Sequence, residues 1–188
     1  MMAVGVPRDK DILTVIAGWP AAERVAAHRK IHEMENEALD RMRLMPGAAA
    51  LGAFCSARGI PLGLVTRNTS GCIDRLHSAH WLPPLRPFAP AIARDSGLPP
   101  KPAPDALLTC AAAWGADPSA CAMVGDSARD DVVAARRAGM AAILLRSPHS
   151  RAAAGTPPQP EQVPDAVVTS LDQVPAALEA LFAIGPAR

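Results

Sequence analysis

Residues 123–131, Met-Val-Gly-Asp-Ser-Ala-Arg-Asp-Asp, put three carboxylates into one strand-to-helix turn. The apolar run Cys121 to Val124 reads as a short strand, Gly125 opens a tight turn, and Val132 to Ala138 reads as a helix stopped at Gly139. Like charges about 4 Å apart repel by ~4 kcal/mol at an effective dielectric near 20. Asp126, Asp130 and Asp131 therefore call for a cation, and Mg²⁺, a hard ion that takes oxygen ligands, suits carboxylates best. An acidic first turn that complements a helix dipole accounts for one or two of these residues. It does not account for Gly-Asp at the end of an apolar strand, where open α/β sheets hold their ligands.

Two further pieces lie upstream. Ile60 to Val65 is a short apolar run that ends in Thr66-Arg67-Asn68-Thr69, a hydroxyl and amide cluster at the carboxyl end of a second strand. Lys101-Pro102-Ala103-Pro104-Asp105 then opens a helix. Each proline pushes the residue before it out of the helical region, and Pro104 or Asp105 suits the first helical turn. Leu107, Cys110, Ala111 and Trp114 follow at the spacing of a buried helix stripe. Lys101 thus stands at a helix entrance, where its ammonium and the helix dipole both attract an anion.

The remaining chain is organised around these pieces. Residues 9–45 read as helical, broken at Gly18-Trp19-Pro20, with Ile31, Met34, Ala38, Met42 and Met45 as a packing stripe. His28 and His32 share a helix face, but no third ligand lies nearby and they read as solvated. Helices are predicted over 46–58 and 69–80. The proline-dense stretch 81–104 reads as a connection, with Phe88 buried in it. A strand at 140–145, a surface loop at 147–164, a strand at 166–168 and a helix over 171–184 complete the pattern. A chain of 188 residues with 49% hydrophobic content supports one modest domain, and 3% aromatic content leaves Ala, Val and Leu to build its core. Net charge +1 without a basic run excludes a dedicated nucleic-acid surface. No apolar run approaches a membrane span of about 20 residues. The four cysteines show no C-x-x-C spacing and read as reduced core residues, hence an intracellular protein, cytoplasmic by default. Met1 to Lys10 has no signal-peptide pattern, although a preceding segment that carried a targeting peptide would change the compartment. Oligomeric state is not legible.

Thr at a strand end, then Lys-Pro-x-Pro before a helix, then Gly-Asp-Ser-x-x-Asp-Asp before another helix resembles the haloacid-dehalogenase-like (HAD) hydrolase superfamily. The resemblance runs from about Pro46 to Leu181. It implies a Rossmann-like α/β/α fold, three-layered around a parallel sheet, and Mg²⁺-dependent phosphatase chemistry on a small phosphorylated metabolite. By this resemblance Thr66 hydrogen-bonds the phosphoryl group, Lys101 neutralises it, and Asp126 ligates Mg²⁺. The second acid falls on Asp130 or Asp131, with Asp131 preferred because it directly precedes the helix. Arg67 and Asn68 contact substrate. The chain then divides into a helical cap segment at 1–45 and an α/β core at 46–188.

The first motif of that family departs. There a central strand ends in Asp-x-Asp-Gly-Thr, whose first Asp is the nucleophile that becomes phosphorylated. The one Asp-x-Asp here, Asp9-Lys10-Asp11, follows Pro7-Arg8 and continues into Ile12-Leu13, so it reads as a helix start capped by Asp9. Covalent catalysis needs the missing carboxylate. The expectation is therefore a phosphatase lineage acting through an aspartyl-phosphate, truncated or re-paired around an absent central strand and with little turnover. The alternative is a non-catalytic phosphate- or partner-binding relative. A phosphoacceptor receiver domain also combines Asp, Thr and Lys, but in the reverse order.

Overall fold

The computed structural model of the protein describes residues 12–146 and 159–183. Asp9-Lys10-Asp11 and most of the 147–164 loop therefore lie outside the described residues. The chain divides into two compact units, Met1–Met42 and Arg43–Arg188.

The first unit holds α1 (Ile12–Ala17) and α2 (Ala21–Asp40). The break between them is where the sequence predicts it, with Pro20 at the N-cap of α2 at φ −55°, a torsion its ring imposes. Along α2 the half-buried positions Ala27, Ile31, Glu35 and Leu39 recur every four residues, one helix face. His28 and His32 are exposed.

The second unit alternates strands and helices. Its helices are α3 (Ala48–Ala57), α4 (Ser70–Ala79), α5 (Asp105–Trp114), α6 (Val133–Ala138) and α7 (Val174–Phe182). Its strands are β1 (Leu64–Val65), β2 (Ala91–Ile92), β3 (Ala122–Gly125), β4 (Ala141–Leu145) and β5 (Ala166–Val168). Every pairing is parallel, as expected, but the strands form two sheets, β1-β2 and β3-β4-β5.

The period-2 alternation of β4 sorts its side chains between two helical layers. Ala142 and Leu144 join Leu107 and Ala111 of α5 and Ala134, Ala135 and Ala138 of α6. Ile143 and Leu145 join Val168 and Val174, with Leu51 of α3 and Leu178 of α7 packed against them. Burying such a Leu or Ile contributes about 1.5–3 kcal/mol. Alanines of α6 at 0% exposure let helix and sheet approach closely, which is how a chain poor in aromatics fills its core. Helix α5 lies against both sheets. Its Ala106 and Cys110 pack on Ile92 of β2, and Val65 and Trp114 border both clusters.

Three local expectations need correction. The strand predicted over 60–66 is paired only at Leu64–Val65, and the proline-dense stretch contains a strand, β2, that its composition conceals. Pro90 has no N–H to give, yet its carbonyl accepts from Leu64 N–H at 3.0 Å, while Thr66 N–H donates to Ile92 O at 2.9 Å. Proline at a strand start leaves its acceptor intact. In the same stretch Phe88 is half-buried rather than buried, packed 4.5 Å from the Trp81 ring.

The four cysteines are free, and Cys55, Cys110 and Cys121 are buried. Burial, helped by neighbouring Cys121, pushes the Cys110 thiol up to about 11. That keeps it protonated and unreactive at neutral pH.

Candidate active site

Strand β3 delivers the chain into the acidic turn at Gly125. Ser127 then organises it. Its hydroxyl accepts from Asp130 N–H at 3.1 Å, the capping bond expected of a serine before a helix. Its carbonyl accepts from Asp131 N–H at 2.8 Å and also from Val132 N–H at 3.2 Å. The second of these spans five residues, so Ala128–Val132 winds as one π-helical turn before α6.

That turn sends the two adjacent acids in different directions. Asp131 turns inward, where its carboxylate accepts from Ser127 N–H at 3.0 Å and lies directly over Gly125. A Cβ at position 125 would collide with it, which is why glycine ends this strand. Lys101 reaches the same carboxylate at 2.7 Å, the two side chains 9% and 7% exposed. The Lys101 ammonium also donates to the carbonyl of Val65 at 3.0 Å. One buried lysine therefore ties the carboxyl end of β1 to the turn after β3. Asp130 turns outward and meets Arg67 at 3.2 Å, a pair 46% and 30% exposed.

Two of the three crowded carboxylates thus find their cations within the chain. Asp126 does not. It is exposed and, among the described residues, has no hydrogen-bond or ion-pair partner. Thr66 sits just beyond β1. Its hydroxyl oxygen accepts from Asn68 N–H at 3.1 Å, which leaves the O–H to donate outward. The Asn68 carbonyl in turn accepts from Arg94 N–H at 2.8 Å, anchoring the Thr66-Arg67-Asn68 loop to the exit of β2. Thr66, Arg67, Lys101, Asp130 and Asp131 are therefore gathered by direct contacts between the two sheets, with Asp126 in the same turn.

Sequence reading overlooked the supports of this cluster. Ser127 organises the turn, and Asp95 closes the amino end of α4 by accepting from Ser70 N–H at 3.0 Å and Ser70 O–H at 2.8 Å. The Ser70 hydroxyl holds the Asp95 carboxyl below its usual range. Asp95 lies twenty-five positions from Ser70, so no local pattern reveals the contact.

The donor chemistry suits Mg²⁺ in one specific way. Asp126 offers hard oxygens at a strand end, but no group of three His, Cys, Asp or Glu among the described residues is placed to hold a metal. Mg²⁺ keeps several waters and commonly uses one or two carboxylates together with substrate phosphate. The residues present match that mode and not an all-protein cage.

Comparison with known proteins points to one family. The HAD-hydrolase-like family model matches residues 99–174, which include Lys101 and the acidic turn. A haloacid dehalogenase-like hydrolase domain-containing protein of Arabidopsis thaliana is 33% identical over 185 residues, covering 96% of this chain and 71% of that protein. A HAD phosphatase of Thermococcus onnurineus superposes with TM-score 0.64 at 23% identity, over 78% of this chain and 63% of its own. A HAD family hydrolase of Deinococcus radiodurans superposes with TM-score 0.69 at 20% identity, over 96% of this chain and 80% of its own. This chain therefore spans less than two thirds of the Thermococcus protein. No helix among the described residues is long and apolar enough to cross a membrane. With the Rossmann-like neighbours, the ordered Thr, Lys and Asp positions and a one-third-identical relative along nearly its whole length, the chain belongs to the HAD-like hydrolases.

Proposed function

We propose that the second unit carries the phosphate- and cation-binding part of a site for small phosphomonoesters. The observation that carries this reading is the double contact of Lys101, at 3.0 Å to Val65 O and 2.7 Å to Asp131. It ties the carboxyl end of β1, next to Thr66, to the turn that carries Asp126. Thr66 O–H and the Lys101 ammonium would bind phosphoryl oxygens, and Asp131 keeps Lys101 in place. Asp126 would hold Mg²⁺, which when bound neutralises charge on the phosphoryl group. Arg67 and Asn68 stand on the loop that would meet the rest of the substrate. Helices α1 and α2 suit a small cap, and such a cap favours metabolites over protein substrates.

Hydrolysis through an aspartyl-phosphate also needs an in-line carboxylate. The family places it on a strand between the ones that end at Thr66 and Asp126. Here β1 and β3 lie in separate sheets, and among the described residues no strand lies between them. The same observation favours a second reading, a phosphate-binding relative without turnover. Under both readings the partner is a small phosphorylated metabolite and the ion is Mg²⁺.

Calorimetric titration of Mg²⁺ with and without inorganic phosphate tests the site. Binding is expected to be weak alone and tighter with phosphate, since a single open carboxylate supplies few ligands. Asp126→Ala is expected to abolish it and Asp9→Ala to leave it unchanged. Equal loss from Asp9→Ala would show that Asp9-Lys10-Asp11 is a metal-binding motif after all.

A further inference from the structure

We propose that Asp130 is a specificity residue, which makes the site prefer phosphomonoesters with a neutral, hydroxyl-bearing alcohol half over those carrying a second anion. The inference rests on the phosphate-site reading above and goes beyond it.

The π-helical turn is its structural origin. Because Ser127 O accepts from both Asp131 and Val132 N–H, the turn holds one residue more than an α-helical turn would. The result is two concentric ion pairs at the carboxyl ends of β1 and β3. The inner pair, Lys101–Asp131, is nearly sealed from solvent, and the outer pair, Arg67–Asp130, is open to it. Asp131 is committed to holding Lys101. Asp130 is not needed for that purpose, yet it is fixed by Arg67 at 3.2 Å and by Ser127 O–H at 3.2 Å.

The chemistry of the outer pair follows. An arginine alone at the rim would attract a carboxylate or second phosphate as a bidentate partner. With Asp130 on its guanidinium, the rim presents a donor and an anionic acceptor side by side. A hydroxyl both donates and accepts, so it matches that pair. A carboxylate only accepts, and it would face Asp130 as a like charge. The rim is half-exposed, so the discrimination is screened and moderate rather than absolute.

The test uses the whole 188-residue chain with Mg²⁺ and three probes: inorganic phosphate, glycerol phosphate and phosphoglycolate, with Kd values from competition followed by phosphorus NMR. The unmutated chain is expected to bind glycerol phosphate more tightly than phosphoglycolate. In Asp130→Asn, which keeps the side chain's size and its acceptor for Ser127, the preference should shift toward phosphoglycolate by roughly three- to tenfold, the scale of one screened like charge. Both affinities are read relative to that of inorganic phosphate, the thermal midpoint should stay unchanged, and Asp130→Glu should retain the original preference. An unchanged ratio in Asp130→Asn overturns the inference and leaves the phosphate site standing. Loss of inorganic phosphate binding in Asp130→Asn also overturns it, since Asp130 would then support the site rather than select the substrate. Failure of the unmutated chain to bind inorganic phosphate overturns both.

Discussion

Asp131→Ala is expected to lower the unfolding free energy by about 3–5 kcal/mol, the range for removing one partner of a buried ion pair and stranding the other charge. Lys101 and Asp131 are 2.7 Å apart with side chains 9% and 7% exposed, so water cannot replace the lost carboxylate. The same substitution frees Ser127 N–H and removes the anchor that holds the π-helical turn over Gly125. Net stability for a domain is only about 5–15 kcal/mol, so the loss is a large share of the total. Asp126→Ala, five residues earlier in the same turn, is exposed and unpaired among the described residues, and is expected to change stability by no more than about 0.5 kcal/mol. Equilibrium urea unfolding compares the two directly. Equal midpoints would mean that the buried pair does not hold the turn.

Gly125→Ala is the second large effect. A new Cβ there overlaps the Asp131 side chain, and aspartate is too short to bend its carboxylate away without leaving Lys101. Overpacking alone costs about 1–3 kcal/mol, and breaking the ion pair adds to it. Gly139→Ala is the contrast. Position 139 has φ 74°, but a Cβ there would meet nothing within 4 Å, so only the left-handed backbone penalty of about 1–2 kcal/mol applies. A double-mutant cycle on unfolding free energies separates the causes. Gly125→Ala and Asp131→Ala should combine to less than their sum, because both break the same pair. Strict additivity would show that the clash and the ion pair are independent.

The site was legible in the sequence wherever a local pattern carries a physical signature. Gly-Asp after an apolar run, Thr after another and Lys-Pro before a helix each mark a strand end or helix start, and Lys101 bridges the two strand ends. The regular pieces were equally plain: 166–168 is a strand, and helix α5 begins at Asp105. What escaped was non-local. Three carboxylates in one turn pointed to an external cation, but Lys101 and Arg67, distant in sequence, neutralise two of them. The different directions taken by Asp130 and Asp131 depend on a shared carbonyl at Ser127, which no periodicity reveals. Strand β2 escaped because prolines mask a pairing that uses their carbonyls rather than their absent N–H groups. The division into two sheets depends on which strands find partners, a property of the whole chain.

The most direct test of whether this chain holds a phosphate-and-cation site without its nucleophile is steady-state turnover of small phosphomonoesters by the purified 188-residue protein. Phosphate-monoester hydrolysis is so slow uncatalysed that enzymes accelerate it by up to ~10²¹-fold. Positioning and charge neutralisation by Thr66, Lys101 and Asp126 favour the phosphoryl transition state but supply no in-line attacking group. With Mg²⁺ and p-nitrophenyl phosphate, release of product is expected to match that of the Asp126→Ala control. Mg²⁺-dependent turnover that disappears in Asp126→Ala would contradict that expectation and show that another carboxylate of this chain, Asp130 first, serves as the nucleophile.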